Sequence, residues 1–194
     1  YMMAPRHGHL MAIYHMFGYL RSHDKSTMVF DPSEPTLTEM LTPDTCAQID
    51  VDWSEYYPDA AEAIPPICPE PLGKELLMTC FVDADHAGCR ATRRSHTGIL
   101  IFLNRAPITW FSKRQNTVEA STLGSEFIAM RIAIEMVEGL RYRLRMLGIP
   151  INGATFILGD NEAVLKNATH PESTLKKKHV SIAYHRVREA QAAG

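Results

Sequence analysis

The sequence predicts an α/β fold, in which helices flank a mixed β-sheet, and three observations lead to this prediction. Between residues 76 and 112, three short apolar runs follow one another, each rich in β-branched or aromatic side chains. A long amphipathic helical pattern comes next. A further apolar run and two more helical patterns complete the order β-β-β-α-β-α-α, which is typical of a sheet with an antiparallel edge.

Each predicted strand has its own signal. The run "LLMTCFVDAD" is a candidate buried strand. The runs "TGILIFLN" (97–104) and "APITWFS" (106–112) are separated by a short turn and predict an antiparallel hairpin. Because "ATFILGD" (154–160) follows a helix, we expect it to add a parallel strand. We expect Trp110 and the methionines to lie in the core.

The predicted helices follow from apolar periodicity and from their end signals. Residues 120–148 form a long helix candidate, for which Ser121 or Thr122 is a suitable N-terminal cap. Residues 161–169 predict a short helix. Residues 173–194 predict the closing helix of the chain.

The chain divides into three predicted parts, and the third, residues 76–194, carries the pattern above. Residues 1–30 contain an amphipathic helix over residues 8–22. Its apolar stripe consists of Leu10, Ile13, Tyr14, Phe17 and Leu20. Residues 31–75 hold eight of the twelve prolines, and eleven Asp or Glu against one Lys. We interpret them as an irregular, partly ordered acidic linker or as a loop draped on the surface. The first residue is not methionine, which favours a piece of a longer protein.

Composition narrows the class of protein. Hydrophobic residues make up 45% of the chain and charged residues 22%, as in ordinary globular domains. No apolar run approaches the roughly 18 residues of a membrane span, so no membrane contact is expected. The four cysteines, Cys46, Cys68, Cys80 and Cys89, form no CxxC pair, which favours reduced thiols in an intracellular protein. Residues 76–194 contain sixteen Lys or Arg against ten Asp or Glu, so a polyanion would bind there.

Acidic side chains end two of the predicted strands. Asp83 and Asp85 end the first strand, and Asp160 ends the last one. Ligand sites of open α/β sheets cluster at the carboxyl ends of strands. Glu126 falls inside the apolar stripe of the long helix, where a carboxylate is costly unless it is paired or bound to a metal. Such oxygen ligands suit Mg²⁺, and two ions about 4 Å apart can promote phosphodiester cleavage.

These acids also have structural interpretations. A lone aspartate at a strand end is commonly a turn or helix cap, and Asp160 stands directly before the helical "NEAV". Glu126 could instead pair with an arginine. The residue types and their spacing alone leave a metal site and these structural roles open.

Five segments follow one another in the order and spacing of a known domain. They are "FVDADHAG", "TRRSHTGILIFL", "ITWFSKRQNTVEAST", "SEFIAM" and "LGDNEAV". Over about residues 76–190 the chain closely resembles the ribonuclease H (RNase H) domain of copia-type LTR retrotransposon polyproteins. The segment "APRHGHLMAIYHMFGYLRSH" resembles the tail of the reverse transcriptase that precedes that domain.

The resemblance implies an RNase H fold with a five-stranded mixed sheet, three of whose strands are antiparallel. It implies hydrolysis of the RNA strand of RNA–DNA hybrids during reverse transcription, with two Mg²⁺ ions, or Mn²⁺ in their place, as cofactor. Asp83, Glu126 and Asp160 match the catalytic, metal-binding acids, and Asp85 matches a supporting acid. The implied partners are the hybrid and the adjacent reverse transcriptase. The implied location is the cytoplasm, within virus-like particles.

The sequence departs from the family at the fourth acid. In "KKKHVSIAYHRVRE", Ser181 stands where the family commonly has aspartate. The family also carries an acid beyond a final strand, which would come after Gly194. We therefore expect three of the four catalytic acids in this chain, with Ser181 and His179 in supporting roles.

Basic and amide side chains near the predicted turns are expected to contact phosphates and the minor groove, where 2′-hydroxyls distinguish RNA. This set is Arg93, Arg94, Ser95, Lys113, Arg114, Gln115 and Asn161. The competing interpretation of the set is a solvated basic surface.

Two other functions compete with a hybrid-specific nuclease. One is a catalytically degenerate RNase H-like module that binds nucleic acid or supports the adjacent reverse transcriptase, which Ser181 favours. The other is an integrase- or transposase-like strand transferase, which would use three similar acids. The order of the motifs argues against the strand transferase.

Overall fold

The computed structural model describes residues 4–36, 51–175 and 178–194. Cys46 and the rest of residues 37–50 lie outside the described residues. The elements, in chain order, are α1 (His7–Ser22), β1 (Met78–Asp85), β2 (His96–Leu103), β3 (Ala106–Arg114), α2 (Thr122–Met146), β4 (Phe156–Leu158), α3 (Glu162–Thr169) and α4 (Ser181–Ala193). A 3-10 turn, Lys178–Val180, leads into α4. The predicted α/β class and the order of its elements are confirmed.

The sheet has the strand order β3-β2-β1-β4 and is mixed, as predicted. β1 pairs antiparallel with β2, and β2 with β3, whereas β4 runs parallel to β1. The described residues contain four strands, one fewer than the resemblance implies. β4 is shorter than the predicted strand over 154–160, and it pairs with β1 at only three positions, from Thr79 to Phe81.

Alternation along β1 decides which face of the sheet the helices cover. Cys80, Val82 and Ala84 are buried, and they join the hydrophobic core together with apolar residues of α2 and α4. Successive side chains of a strand point to opposite faces, so Phe81 and Asp83 lie on the other face. Both are exposed. Asp83, the first of the predicted acids, therefore lies on the face opposite to the buried side chains of β1.

Trp110 lies on the open face, so the prediction that it belongs to the core is wrong. It is 63% exposed and stands opposite Leu100 across the β2–β3 ladder. Several methionines are also exposed, among them Met16 at 64%. Trp110 is exposed because the described helices pack on one side of the sheet only, and a strand pattern cannot tell which side receives them. Met16 is exposed because it belongs to α1, which buries none of its side chains in the described structure.

The long helix α2 begins and ends at its sequence signals. The Ser121 hydroxyl accepts a hydrogen bond from the backbone N–H of Gly124 at 3.2 Å, so Ser121 is the N-terminal cap. At the other end Gly148 adopts a left-handed conformation with φ +69°, which stops the helix. By contrast, α1 forms as predicted but buries none of its side chains among the described residues.

The second half of the acidic segment is folded onto the helices of the domain. We call residues 51–72 the strap. Trp53 is buried, and the backbone N–H of Leu72 donates to the carbonyl of Gly148 at 2.8 Å. The strap contacts α2 through Glu62 and Arg141, and α4 through Trp53 and Arg188.

No helix in the described parts of the chain is both long and apolar enough to cross a membrane.

Candidate metal centre and nucleic-acid interface

Two of the predicted acids reach the site from neighbouring strand ends. Asp83 lies near the end of β1, opposite Gly98 of β2. β4 ends at Leu158, level with Phe81, so the β1 edge beyond that point is free of β4. Asp160 follows β4 by two residues and projects into the same gap. This is the carboxyl end of the parallel pair, where open sheets place ligands.

The third acid comes from the first turns of α2. Glu126 is 8% exposed and sits between two fully buried neighbours, Ser125 and Phe127. Ligand oxygens of Asp83, Glu126 and Asp160 all lie within 4.8 Å of one another, as a metal ion would require. The structure thus brings together the three acids that the sequence singled out.

Glu126 bears the electrostatic cost of this arrangement. Its pKa is raised to about 7, first because burial disfavours the charged form and then because Asp83 and Asp160 repel a third negative charge. A backbone hydrogen bond from Ala84 opposes the shift. Glu126 therefore keeps its proton to a higher pH than an ordinary glutamate does, and a bound cation would favour the carboxylate.

The donor set fits Mg²⁺ or Mn²⁺. The cluster consists of hard oxygen ligands, which these ions prefer, and two of the three acids are exposed, which leaves room for substrate oxygens. Three carboxyl groups held within 4.8 Å, one of them buried, are more stable with a bound cation than without one.

The structural alternatives for these acids do not hold in the described residues. The cap of α3 is Asn161, whose Oδ1 accepts from the backbone N–H of Val164 at 3.2 Å, so Asp160 is not needed for that task. For Glu126, the charges that shift its pKa are those of Asp83 and Asp160, and none is an arginine. Asn161 is also a predicted nucleic-acid contact, and its Oδ1 already accepts the hydrogen bond that caps α3.

Asp85 stands outside the cluster. Its Oδ2 lies 3.8 Å from Nδ1 of His96, and both side chains are well exposed. The carboxylate also folds over Gly88, where an added Cβ would lie 1.7 Å from Oδ2. A larger residue at position 88 would therefore have to displace the exposed Asp85 carboxylate.

His179 and Ser181 lie where the 3-10 turn meets α4. His179 Nε2 lies 3.3 Å from Oε2 of Glu119, a buried carboxylate that the sequence did not single out. The pair is an ion pair by distance, although this oxygen makes no well-aligned hydrogen bond. A Cβ on Gly124 would lie 2.7 Å from the same oxygen, so a larger residue at the start of α2 would have to displace the Glu119 carboxylate. Ser181 is the first residue of α4 and supplies no carboxylate.

A second residue missed by the sequence is His86, which directly follows the β1 acids. Its Nδ1 lies 3.3 Å from the Ser125 hydroxyl, next to Glu126. Ser125 also donates to the carbonyl of Thr122 at 2.8 Å. The sequence contains one signal for His86, which is its position: it is a polar residue directly after a strand that ends in acids.

Four of the predicted nucleic-acid contacts are surface residues near the β2–β3 end of the sheet. Arg94, Lys113 and Arg114 line a concavity of about 460 Å³ together with His96 and Asn116. Arg93 is exposed in the neighbouring loop, with a left-handed φ of 55°. A cavity lined by three cations is suited to a phosphate group.

Ser95 and Gln115 do not belong to this surface, because both are buried and hydrogen-bonded inside the protein. The Ser95 hydroxyl accepts from the backbone N–H of Ala87 at 3.0 Å. The Gln115 amide donates to Thr97 Oγ1 at 3.0 Å and to the Ser125 carbonyl at 2.9 Å. Gln115 thus ties β2 to the start of α2, and we exclude both residues from the candidate interface.

Comparison with known proteins finds similarity to segments of retrotransposon polyproteins. Over 122 residues, 63% of the chain, the sequence is 28% identical to a retrovirus-related Pol polyprotein from transposon RE1 of Arabidopsis thaliana. Over 122 residues it is 27% identical to the Pol polyprotein from transposon RE2 of the same plant. Over 117 residues it is 28% identical to the one from transposon TNT 1-94 of Nicotiana tabacum.

The chain spans only a small part of these relatives. The matched segment covers 8% of the RE1 and RE2 polyproteins and 9% of the TNT 1-94 polyprotein. No family model matches the chain. The chain is therefore similar to one short region of much longer Pol polyproteins.

Proposed function

We propose that this chain is the RNase H region of a retrotransposon Pol polyprotein and that it hydrolyses the RNA strand of RNA–DNA hybrids with Mg²⁺. The observation that carries the proposal is the cluster of Asp83, Glu126 and Asp160 at the carboxyl end of the β1–β4 pair. The similarity to Pol polyproteins supports it, since these relatives derive from retrotransposons.

In this proposal each group of residues has one task. Asp83, Glu126 and Asp160 would hold the metal, and Mg²⁺ when bound supplies positive charge at the scissile phosphate and lowers the pKa of water. Glu126 must first lose its proton, which the two neighbouring aspartates oppose. Arg94 and Arg114, at the basic concavity, would hold a backbone phosphate and so fix the duplex across the acids.

The adjacent reverse transcriptase is the proposed partner within the same polyprotein, in the cytoplasm and within virus-like particles. α1 supports this partner, because its apolar side chains are exposed, including Phe17 at 65% and Leu20 at 59%. Exposed apolar stripes of this kind mark protein contacts.

The test is cleavage of an RNA–DNA hybrid labelled on its RNA strand. We expect cleavage by the purified chain, alone or within a longer piece of its polyprotein, with Mg²⁺ or Mn²⁺ but not with Ca²⁺ or a chelator. RNA and DNA duplexes of the same sequence serve as controls and should stay intact. Equal cleavage of the RNA duplex, or cleavage in the presence of a chelator, would refute the proposal.

A second candidate, a module that binds hybrids without cutting them, is favoured by one specific observation. The cluster that could hold a metal contains three carboxylates in the described residues, and Ser181 stands where the resemblance expects an acid. Hybrid binding without cleavage, in the chain and in the longer piece alike, would support this candidate over the nuclease.

The basic concavity gives a prediction for affinity. Arg114→Ala should weaken binding to RNA–DNA hybrids of any sequence, because a phosphate contact carries no sequence information. It should also reduce the slope of log affinity against log salt by about 1, as expected for one lost phosphate contact. Fluorescence anisotropy across a salt series measures both quantities. Arg143→Ala, an exposed arginine in the last turn of α2, is the matched control and should leave the slope unchanged.

A further inference from the structure

The segment that carries Asp160 is only weakly held by the sheet. We call residues 153–173 the β4–α3 unit. Its strand has three residues and pairs with one neighbour, β1, and its helix has eight residues. Such short elements have little stability of their own, so contacts elsewhere must hold the unit in place.

The upstream end of the unit is held by an arginine that the strap binds. Arg141 of α2 is 7% exposed, and its Nη1 donates to the Gly153 carbonyl and to Thr155 Oγ1, both at 3.0 Å. The other side of its guanidinium forms two parallel hydrogen bonds to Glu62 of the strap, both at 2.9 Å. Arg145 pairs with the same carboxylate. A bidentate arginine–carboxylate pair fixes the plane of the guanidinium. The fixed guanidinium in turn holds Gly153 and Thr155, the residues that lead into β4.

The downstream end of the unit is held by a second buried arginine. Arg188 of α4 is 2% exposed. It donates to the carbonyls of Asn167 and His170 at 2.9 and 2.8 Å, and to the Pro171 carbonyl at 2.5 Å. It also donates to the Ser173 hydroxyl at 2.6 Å. These acceptors surround the C-terminal end of α3, where a positive charge is favourable.

Arg188 has no carboxylate partner among the described residues, and aromatic rings shield it instead. Its guanidinium carbon lies 5.0 Å from the ring centre of Trp53 and 6.0 Å from that of Tyr57, both in the strap. Tyr184 of α4 covers it at 4.9 Å. The Tyr57 hydroxyl also lies 2.8 Å from Nδ1 of His185, which joins the strap to α4. Cation–π contacts strengthen when water is excluded, and the strap supplies two of the three rings that cover this buried arginine.

We infer that the strap is a clamp that positions Asp160, because it holds the β4–α3 unit at both ends, through Glu62 and Arg141 on one side and through Trp53 and Arg188 on the other. The consequence for metal binding rests on the proposed function, whereas the clamp itself does not. Glu62, Arg141, Trp53 and Arg188 are positioning residues, since they act on Asp160 through the backbone of the unit.

Hydrogen–deuterium exchange of the metal-free chain tests the clamp directly. In Glu62→Gln we expect amides of residues 156–169 to exchange faster by about threefold to thirtyfold, the range typical of coupled positions. Amides of β2 and β3 should keep their wild-type rates. Asp59→Asn is the matched control: it removes an exposed strap carboxylate and should change nothing. Glu62→Asp, a milder change, should fall between wild type and Glu62→Gln.

Two outcomes in the Glu62 and Trp53 variants would overturn the clamp. One is wild-type exchange of residues 156–169 in Glu62→Gln and in Trp53→Phe. The other is an equal increase over β1, β2 and β3, which would mean a general loss of stability. Arg188→Lys separates charge from geometry, because it keeps the cation but loses the planar set of donors. We expect faster exchange near the end of α3, and wild-type exchange there would also count against the clamp.

Titration with Mn²⁺ alone then links the clamp to the site. The affinity of Glu62→Gln for Mn²⁺ should fall by about threefold to thirtyfold, while its affinity for the hybrid without metal stays at the wild-type value. If wild type binds no Mn²⁺, the proposed function fails and the exchange data still decide the clamp. If wild type binds Mn²⁺ and cuts hybrids but residues 156–169 exchange normally in Glu62→Gln, the clamp alone fails.

Discussion

Asp83→Asn is expected to abolish hybrid cleavage, with a loss in kcat of about a thousandfold. Asp83 is one of three carboxylates whose ligand atoms lie within 4.8 Å of one another, and the amide removes one of the negative charges that would hold Mg²⁺. A metal contributes several kcal/mol to a phosphoryl transition state, and each 1.36 kcal/mol is a factor of ten in rate. The measurement is single-turnover cleavage of a labelled hybrid at saturating Mg²⁺.

Asp85→Asn is the matched control for this substitution. Asp85 lies two residues further along the same strand, is exposed, and stands outside the carboxylate cluster. We expect its loss to be about tenfold, at the lower end of the range for a residue that supports metal ligands. Equal losses in the two variants, or substantial activity in Asp83→Asn, would refute the assignment of Asp83 as a ligand.

Glu126→Gln is expected to stabilise the metal-free protein at pH 8 while it removes metal binding. The pKa of Glu126 is raised from 4.5 to about 7 in the folded chain. An acid with a raised pKa releases its proton more readily in the unfolded state, so the free energy of unfolding falls as pH rises from about 4.5 to about 7. The glutamine variant has no such loss, and its advantage above pH 7 should be about 2 to 3 kcal/mol.

Urea denaturation in a chelator, at a series of pH values, measures this difference. Near pH 4 both states of the wild type keep the proton on Glu126, so the wild type and the variant should have similar stability. The two curves should separate between pH 4.5 and 7 and run parallel above that range. A constant difference at all pH values would show that burial and the two aspartates do not govern this carboxyl group.

The raised pKa of Glu126 also predicts how metal binding depends on pH. Below about pH 7 a metal must displace the proton on Glu126, so the affinity of the wild type for Mn²⁺ should fall by up to about tenfold for each pH unit. Calorimetric titration between pH 5.5 and 8 would show this trend. Glu126→Gln is expected to bind Mn²⁺ too weakly to measure at every pH in this range, and measurable binding with the wild-type trend would contradict the assignment of Glu126 as a ligand.

Much of the fold follows from local chemistry. The strands at residues 96–114 appear where β-branched and aromatic residues alternate, and α2 begins at a serine that can cap it. The acids of the site were also visible, because Asp83 and Asp160 stand at strand ends and Glu126 interrupts an apolar stripe. These signals depend on neighbours within a few residues, which is why the sequence carries them.

What the sequence could not reveal depends on which surfaces meet. Ser95 and Gln115 have the polar character of surface residues, yet both are buried, Ser95 against the loop after β1 and Gln115 against the start of α2. Trp110 has the character of a core residue, yet it is exposed at 63% because the described helices cover the opposite face. Glu119 and His179 are sixty positions apart in the chain and meet only because the turn before α4 packs on the start of α2.

The sequence by itself determined the order of the elements and the three acids, since hydrophobic period, capping residues and misplaced charges are local properties. Only the tertiary structure decided that the acids converge within 4.8 Å. It also decided that Glu62 and Trp53, in a segment with the composition of a linker, hold buried arginines of α2 and α4. The physical reason is that burial, charge repulsion and long-range pairing depend on distances in space, which the folded chain alone establishes.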